Sequence, residues 1–144
     1  MTQCRDIMKR EIECLSPREP AQAAAERMRE QNIGFLPVCD DAMTVLGTVT
    51  DRDIALRIVA ERRTATTPVE QIMTREVIAC YPQDDIEVAK ALMADYRKSR
   101  IMCVDDDDAL IGIISLSDVA KLEGDGAGRT LREVSRREAR DARY

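Results

Sequence analysis

Apolar residues recur along this chain at two spacings, and the two alternate in a fixed order. Ala21, Ala24, Ala25 and Met28 fall at helical intervals and predict a helix over 21–32. Ile86, Ala89, Met93 and Tyr96 do the same over 86–97. Short apolar runs predict strands at 12–15, 35–39, 45–50, 77–80, 101–104 and 110–115. Two of these lead straight into short helices, expected at 51–61 and 116–123. Ser16-Pro17-Arg18-Glu19 has the form of a capping box with proline at the first helical position, which would open the first long helix. The order is β-α-β-β-α, and it occurs twice.

The two halves are copies. Displaced by 65 positions and without a gap, Ile7-Met8 falls on Ile72-Met73, Pro17 on Pro82, Ala24 on Ala89 and Met28 on Met93. Gly47 falls on Gly112, Asp53 on Asp118, and Thr50 on Ser115, which keeps a hydroxyl. A unit of about 55 residues buries too little surface to be secure alone. Two copies with similar apolar sheets are therefore expected to pack face to face with approximate two-fold symmetry, in a mixed α/β fold of the α+β kind. The expected domains are 1–61 and 69–123, joined by the Thr-rich linker 62–68. A glycine-rich joint at 124–128 follows, and Thr130-Leu131-Arg132-Glu133 would cap an Arg-rich C-terminal helix.

Composition narrows the function. The 144 residues include no histidine and no tryptophan, and aromatics make only 3%. Without histidine there is no Ser-His-Asp triad, no Cys-His dyad and no His-ligated metal. Few aromatics argue against a base-stacking surface. The composition points away from an enzyme. Five cysteines occur without C-x-x-C spacing, which suits reduced, buried thiols in the cytoplasm, with Cys14 and Cys39 as a redox-labile alternative. Neither a signal core nor a membrane span is expected.

Net charge is -5, unevenly placed. Residues 129–144 carry six arginines against Glu133, Glu138 and Asp141, a local +3 that leaves the rest at -8. An acidic body does not draw in a polyanion. Nucleic acid is not expected as a partner, and any phosphate must be held locally. The run Asp105–Asp108 lacks the ligand spacing of a calcium loop and is expected to be a solvated turn.

The segments richest in chemistry are Gly47-Thr48-Val49-Thr50-Asp51-Arg52-Asp53 and Gly112-Ile113-Ile114-Ser115-Leu116-Ser117-Asp118. Each sets a carboxylate three residues after a hydroxyl where a strand becomes a helix. That pattern is a capping box, which needs no ligand. It also suits a nucleotide, because free amides at a helix start favour phosphate and a carboxylate can accept from two ribose hydroxyls.

With these motifs, the duplication and the strand Ile33-Gly34-Phe35-Leu36-Pro37-Val38, residues 1–123 resemble a tandem pair of CBS domains, named after cystathionine beta-synthase. The resemblance implies adenine-nucleotide binding in clefts between the two copies. It puts Asp53 and Asp118 on ribose hydroxyls, Thr50 and Ser115 near phosphate, and Arg52 on phosphate. Lys98 and Arg100, where the first copy has Ile33 and Phe35, would point toward the phosphate region. Backbone around Ile12 and Val77 would line the adenine. Ser117 stands opposite Arg52, so the cleft using Thr50, Arg52 and Asp53 is expected to be the complete one. The expected function is a regulatory, non-catalytic module in the cytoplasm. It would bind AMP, ADP, ATP or S-adenosylmethionine, require no cofactor, form a homodimer through its long helices and signal to an effector chain. The alternative is an assembly protein whose [ST]-x-x-D motifs only cap helices.

Overall fold

The computed structural model describes residues 1–122, so the glycine-rich joint, the capping box at 130–133 and the Arg-rich stretch lie outside the described residues. In chain order the elements are α1 (Cys4–Ile7), α2 (Ala21–Gln31), β1 (Phe35–Cys39), β2 (Val45–Thr50) and α3 (Asp51–Ile54). A π-helical turn (Ala55–Val59) and a 3₁₀ turn (Val69–Gln71) precede β3 (Ala79–Cys80). The chain then forms α4 (Ile86–Tyr96), β4 (Arg100–Val104), β5 (Leu110–Ser115) and α5 at residues 116–122. The fold is mixed α+β and repeats once.

The chain divides into two compact units. One consists of Glu13–Val77; the other joins Met1–Ile12 to the chain from Ile78 onward. In the contiguous unit β1 and β2 pair antiparallel, with Phe35 opposite Thr50, and Leu15 bridges in parallel to Val38. In the other, β4 and β5 pair antiparallel with Arg100 opposite Ser115, and β3 runs parallel to β4 with Cys80 opposite Cys103. Every one of these contacts has its counterpart 65 positions away, including the bulge at Val38/Cys39 and at Cys103/Val104.

Cores follow from the patterns. Ala24, Met28, Leu36 and Val49 are buried in one unit, and Ala89, Met93, Ile101 and Ile114 in the other. Each large aliphatic side chain fully withdrawn from water contributes about 1.5–3 kcal/mol. The acidic turns are backbone devices. Asp40 Oδ1 accepts from the amides of Ala42 and Thr44 at 3.0 and 2.9 Å, and Asp105 Oδ1 from those of Asp107 and Ala109 at 2.9 and 3.0 Å.

Three expectations change. The strands foreseen at 12–15 and 77–80 shrink to one bridging residue, Leu15, and to the two residues of β3. The Ser16–Glu19 box closes on one side, with the Ser16 amide donating to Glu19 Oε2 at 2.8 Å, but it shapes a turn. Pro20 disfavours helical geometry at Glu19, so α2 starts at Ala21 with Pro20 as its N-cap. The first amides of α2 instead reach Thr67 and Ala65 carbonyls at 2.8 and 3.0 Å, which ties residues of the Thr-rich linker to the helix start. The helix after Thr50 passes from α to π geometry, with the Ala60 amide bonded to Ala55 oxygen at 2.9 Å. All five cysteines are free thiols, and four of them, Cys14 excepted, are buried. Cys39 is pushed up to about 12 by burial and by the adjacent Cys14.

The glycine that opens each motif has a steric reason. A β-carbon on Gly47 would stand 2.6 Å from the Thr74 carbonyl oxygen and 3.0 Å from Met73 Sδ. One on Gly112 would stand 2.5 Å from Met8 Sδ. The repeated Ile-Met dipeptide and the repeated glycine are thus two sides of one contact. Gly47→Ala is expected to destabilise the protein by about 1–3 kcal/mol, as overpacking against backbone does. A lowered urea midpoint at unchanged slope checks it.

Candidate functional site

Both motifs close reciprocal capping boxes. In the first, the Asp53 amide donates to Thr50 Oγ1 at 3.2 Å and the Thr50 amide to Asp53 Oδ2 at 2.9 Å. In the second, the Asp118 amide donates to Ser115 Oγ at 3.1 Å and the Ser115 amide to Asp118 Oδ2 at 3.2 Å. The boxes form because β2 and β5 end in extended geometry while the next residues turn helical, leaving amides that lack a preceding carbonyl.

Capping occupies only one oxygen of each carboxylate. The other, Oδ1, meets a residue from a segment that crosses the motif strand. Thr74 exchanges two backbone hydrogen bonds with Thr48, both 2.9 Å, and its hydroxyl donates to Asp53 Oδ1 at 3.3 Å. Lys9 exchanges two with Ile113, at 2.9 and 3.0 Å, and its ammonium lies 3.5 Å from Asp118 Oδ1. Lys9 and Thr74 are themselves 65 positions apart. Neither stands in a motif of its own, although the repeat relates them just as it relates the motifs.

Arg57 is a third residue outside the motifs. Carried on the π turn, its guanidinium donates to the carbonyls of Ile72 and Met73 at 2.8 and 3.2 Å, with Nε 3.9 Å from Asp53 Oδ1. The motif carboxylates are nearly enclosed, Asp53 at 11% and Asp118 at 10% side-chain exposure. For Asp118, burial resists ionisation, yet hydrogen bonds from Ser115 and the charge of Lys9 outweigh it and hold its pKa below the usual carboxylate value.

The remaining expected residues fall as follows. Arg100 stands directly opposite Ser115 in the β4–β5 ladder and therefore shares its face of the sheet. Ser117 is exposed, its hydroxyl 2.9 Å from that of Ser115. Arg52 is exposed in the first turn of α3. Lys98 is exposed beyond α4, its amide bonded to Met93 oxygen at 2.9 Å. Ile12 and Val77 lie outside any strand, half-buried and exposed respectively, at the points where the chain leaves one unit for the other. Thr50 with Asp53, and Ser115 with Asp118 and Arg100, are brought together; nothing places Lys98, Ile12 or Val77 beside them. Among the described residues no group of three or more histidine, cysteine or acidic side chains is arranged to hold a metal ion.

Because the folded pKa of Asp118 is depressed, its ionised form adds stability above the ordinary aspartate value of about 3.9. That stability is lost as pH falls through the lower folded value. Lys9→Met is expected to move the Asp118 titration upward, observable by carbon-detected NMR of the side-chain carboxyl. An unmoved titration would assign the shift to Ser115 alone.

A family model described as CBS domain matches residues 4–60 and again 69–125. The CBS domain-containing protein YhcV of Bacillus subtilis is 35% identical over 137 residues, covering 94% of this chain and 96% of that protein. Hypoxic response protein 1 of Mycobacterium tuberculosis is 32% identical over 123 residues, covering 84% of this chain and 85% of that one. A crystal structure of Hypoxic Response Protein I with two coordinated zinc ions superposes with a TM-score of 0.76 at 29% identity, over 84% of this chain and 98% of that chain. The CBS domain pair of protein MJ0100, in complex with 5'-methylthioadenosine and S-adenosyl-L-methionine, superposes with a TM-score of 0.74 at 27% identity, over 85% and 95%. Two matched repeats, relatives alike over nearly their whole length and a common fold agree: this chain belongs to the CBS domain family.

Proposed function

We propose that the protein is a regulatory sensor of an adenosine-containing ligand, without catalysis of its own. The observation that carries this reading is the division of labour within each motif carboxylate. One oxygen holds the strand-to-helix turn; the other faces side chains outside the cap, the Thr74 hydroxyl and the Arg57 guanidinium at Asp53 and the Lys9 ammonium at Asp118. A ribose presents two hydroxyls that can replace such partners without opening the cap. The MJ0100 domain pair was crystallised with two molecules that both contain adenosine, which supports the class of ligand.

In this reading Asp53 and Asp118 take ribose hydroxyls, and Thr50 and Ser115 lie nearest the phosphate or other 5' group. Arg52, Lys98 and Arg100 supply positive charge, Ser117 adds a hydroxyl, and backbone at Ile12 and Val77 lines the base. AMP, ADP, ATP and S-adenosylmethionine all offer the required ribose. The protein acts in the cytoplasm as a homodimer and passes ligand occupancy to an effector chain. No helix among the described residues is long and apolar enough to cross a membrane. The closed capping boxes favour one second reading, an assembly module in which both aspartates serve only the fold.

Thermal denaturation with AMP, ADP, ATP and S-adenosylmethionine separates the two. A true ligand at 100 times its dissociation constant should add about 2.7 kcal/mol to stability. Asp53→Asn should abolish that gain at its own motif while lowering basal stability by about 0.5–2 kcal/mol, as loss of a cap does. Absence of any shift across the four ligands would leave the assembly reading.

A further inference from the structure

Cys39, Cys14 and Met43 bring their sulfur atoms into one connected group within the unit Glu13–Val77. Leu15 and Val38 form a parallel bridge, and both side chains enter the apolar core. The Leu15 amide donates to the Pro37 carbonyl at 2.8 Å and the Cys39 amide to the Leu15 carbonyl at 2.9 Å. Cys14 precedes one bridging residue and Cys39 follows the other, so alternation turns both away from that core. There the Cys14 thiol donates to Met43 Sδ at 4.0 Å, and the Cys39 thiol hydrogen-bonds to that of Cys14. Cys39 is 3% exposed, whereas Cys14 and Met43 are half-buried, which leaves the group reachable from solvent on their side.

The fold itself does not require these sulfurs. In the other copy the same positions hold Ala79, Val104 and Asp108. The turn is alike in both, with φ of 64° at Met43 and 62° at Asp108, in the left-handed region. Aspartate adopts that conformation readily, whereas a long apolar side chain does so at a cost. Methionine thus stands where the backbone disfavours it, and there its thioether meets the Cys14 thiol. The remaining cysteines are placed differently. Cys4, Cys80 and Cys103 replace Val69, Leu15 and Val38 within an apolar cluster. The thiols of Cys4 and Cys80 point to the carbonyls of Asp85 and Met102 at 3.8 and 3.6 Å.

We propose that Cys14, Cys39 and Met43 bind one copper(I) ion. Two thiolates and a thioether are soft donors, the kind that select this ion over harder divalent ones. Three sulfurs each about 2.3 Å from a central ion, an ordinary metal–sulfur length, stand about 4.0 Å apart in a trigonal plane. Cys14 and Met43 already have that spacing. Two of the donors are held beforehand through their backbones. Arg27 Nη1 donates to the Cys14 carbonyl at 2.7 Å, and the Met43 amide to the Asp40 carbonyl at 3.0 Å. As the ion enters, each thiol loses its proton to water and the metal takes the place of the two S–H bridges, with no change of oxidation state. The site shares no residue with the two motifs and stands independently of the adenosine reading.

The test titrates copper(I) into the reduced full-length protein without oxygen, against a coloured copper(I) chelator, and counts sulfur ligands by X-ray absorption. One ion per chain with three sulfurs is expected. Cys14→Ala and Cys39→Val install what the other copy carries at these positions, so the scaffold tolerates them. Each should weaken binding by more than the roughly 10–100-fold that loss of an outer-sphere partner costs. Met43→Leu should leave two sulfurs on the ion and lower its affinity. Cys80→Leu, likewise the counterpart residue, should leave stoichiometry and affinity unchanged. Copper taken up equally well by Cys14→Ala and Cys39→Val would place the ion on Cys4, Cys80 and Cys103 and overturn the proposal. So would a three-sulfur shell that survives Met43→Leu, or an unaltered protein that yields all its copper to the chelator.

Discussion

A pair of backbone hydrogen bonds laid across a glycine governs both candidate sites. Thr74 joins Thr48 next to Gly47, and Lys9 joins Ile113 next to Gly112. The approach is so close that no side chain fits on the glycine, and the methionine before each crossing residue packs into the space left free. From this contact follow the position of the crossing residue, the partner of the carboxylate oxygen that capping does not use, and the enclosure of that carboxylate. A glycine in this motif is required by what lies on top of it, independently of any turn.

On that shared frame the two copies differ in chemistry. Asp53 faces a neutral hydroxyl and a guanidinium brought in by a π turn, whereas Asp118 faces a single ammonium. The strand residue opposite the motif hydroxyl is Phe35 in one copy and Arg100 in the other. A core position held by Val69, Leu15 and Val38 in one is held by thiols in the other. Backbone geometry has been kept after duplication, while side chains that decide charge and reactivity have diverged. Equivalent ligands at the two motifs would therefore meet unequal electrostatics.

Most of the fold was legible in the sequence because it rests on local periodicity. The boundaries of β1, β2 and β5 and the start of α4 follow from apolar spacing and turn residues, and the repeat fixed their correspondence. The hydroxyl–carboxylate pairs were equally readable, since a capping box is a contact over three residues. Lys9, Thr74 and Arg57 were not readable. The first two reach their carboxylates across 109 and 21 positions, through a backbone bridge that leaves no periodic trace. Arg57 depends on a π turn that propensity does not encode. Nor did spacing reveal that Cys4, Cys80 and Cys103 share a core, although each has its aliphatic counterpart in the other copy. At Pro20 a local rule, the residue before proline, overrode an apparent capping box.

The exchange of segments between copies bears on synthesis of the chain. Ile7 and Met8 belong by sequence to the first copy but pack with the second, while Ile72 and Met73 complete the first. Residues 13–77 form a continuous stretch, as though one unit had been inserted between residues 12 and 78 of the other. On the ribosome this inserted unit has all its core partners once Val77 has emerged. Residues 1–12, made before the inserted unit, must wait for β5 before Lys9 finds Ile113. A segment translated before the inserted unit is thus secured after it, and its apolar Ile7 and Met8 stay open to water or chaperones until then.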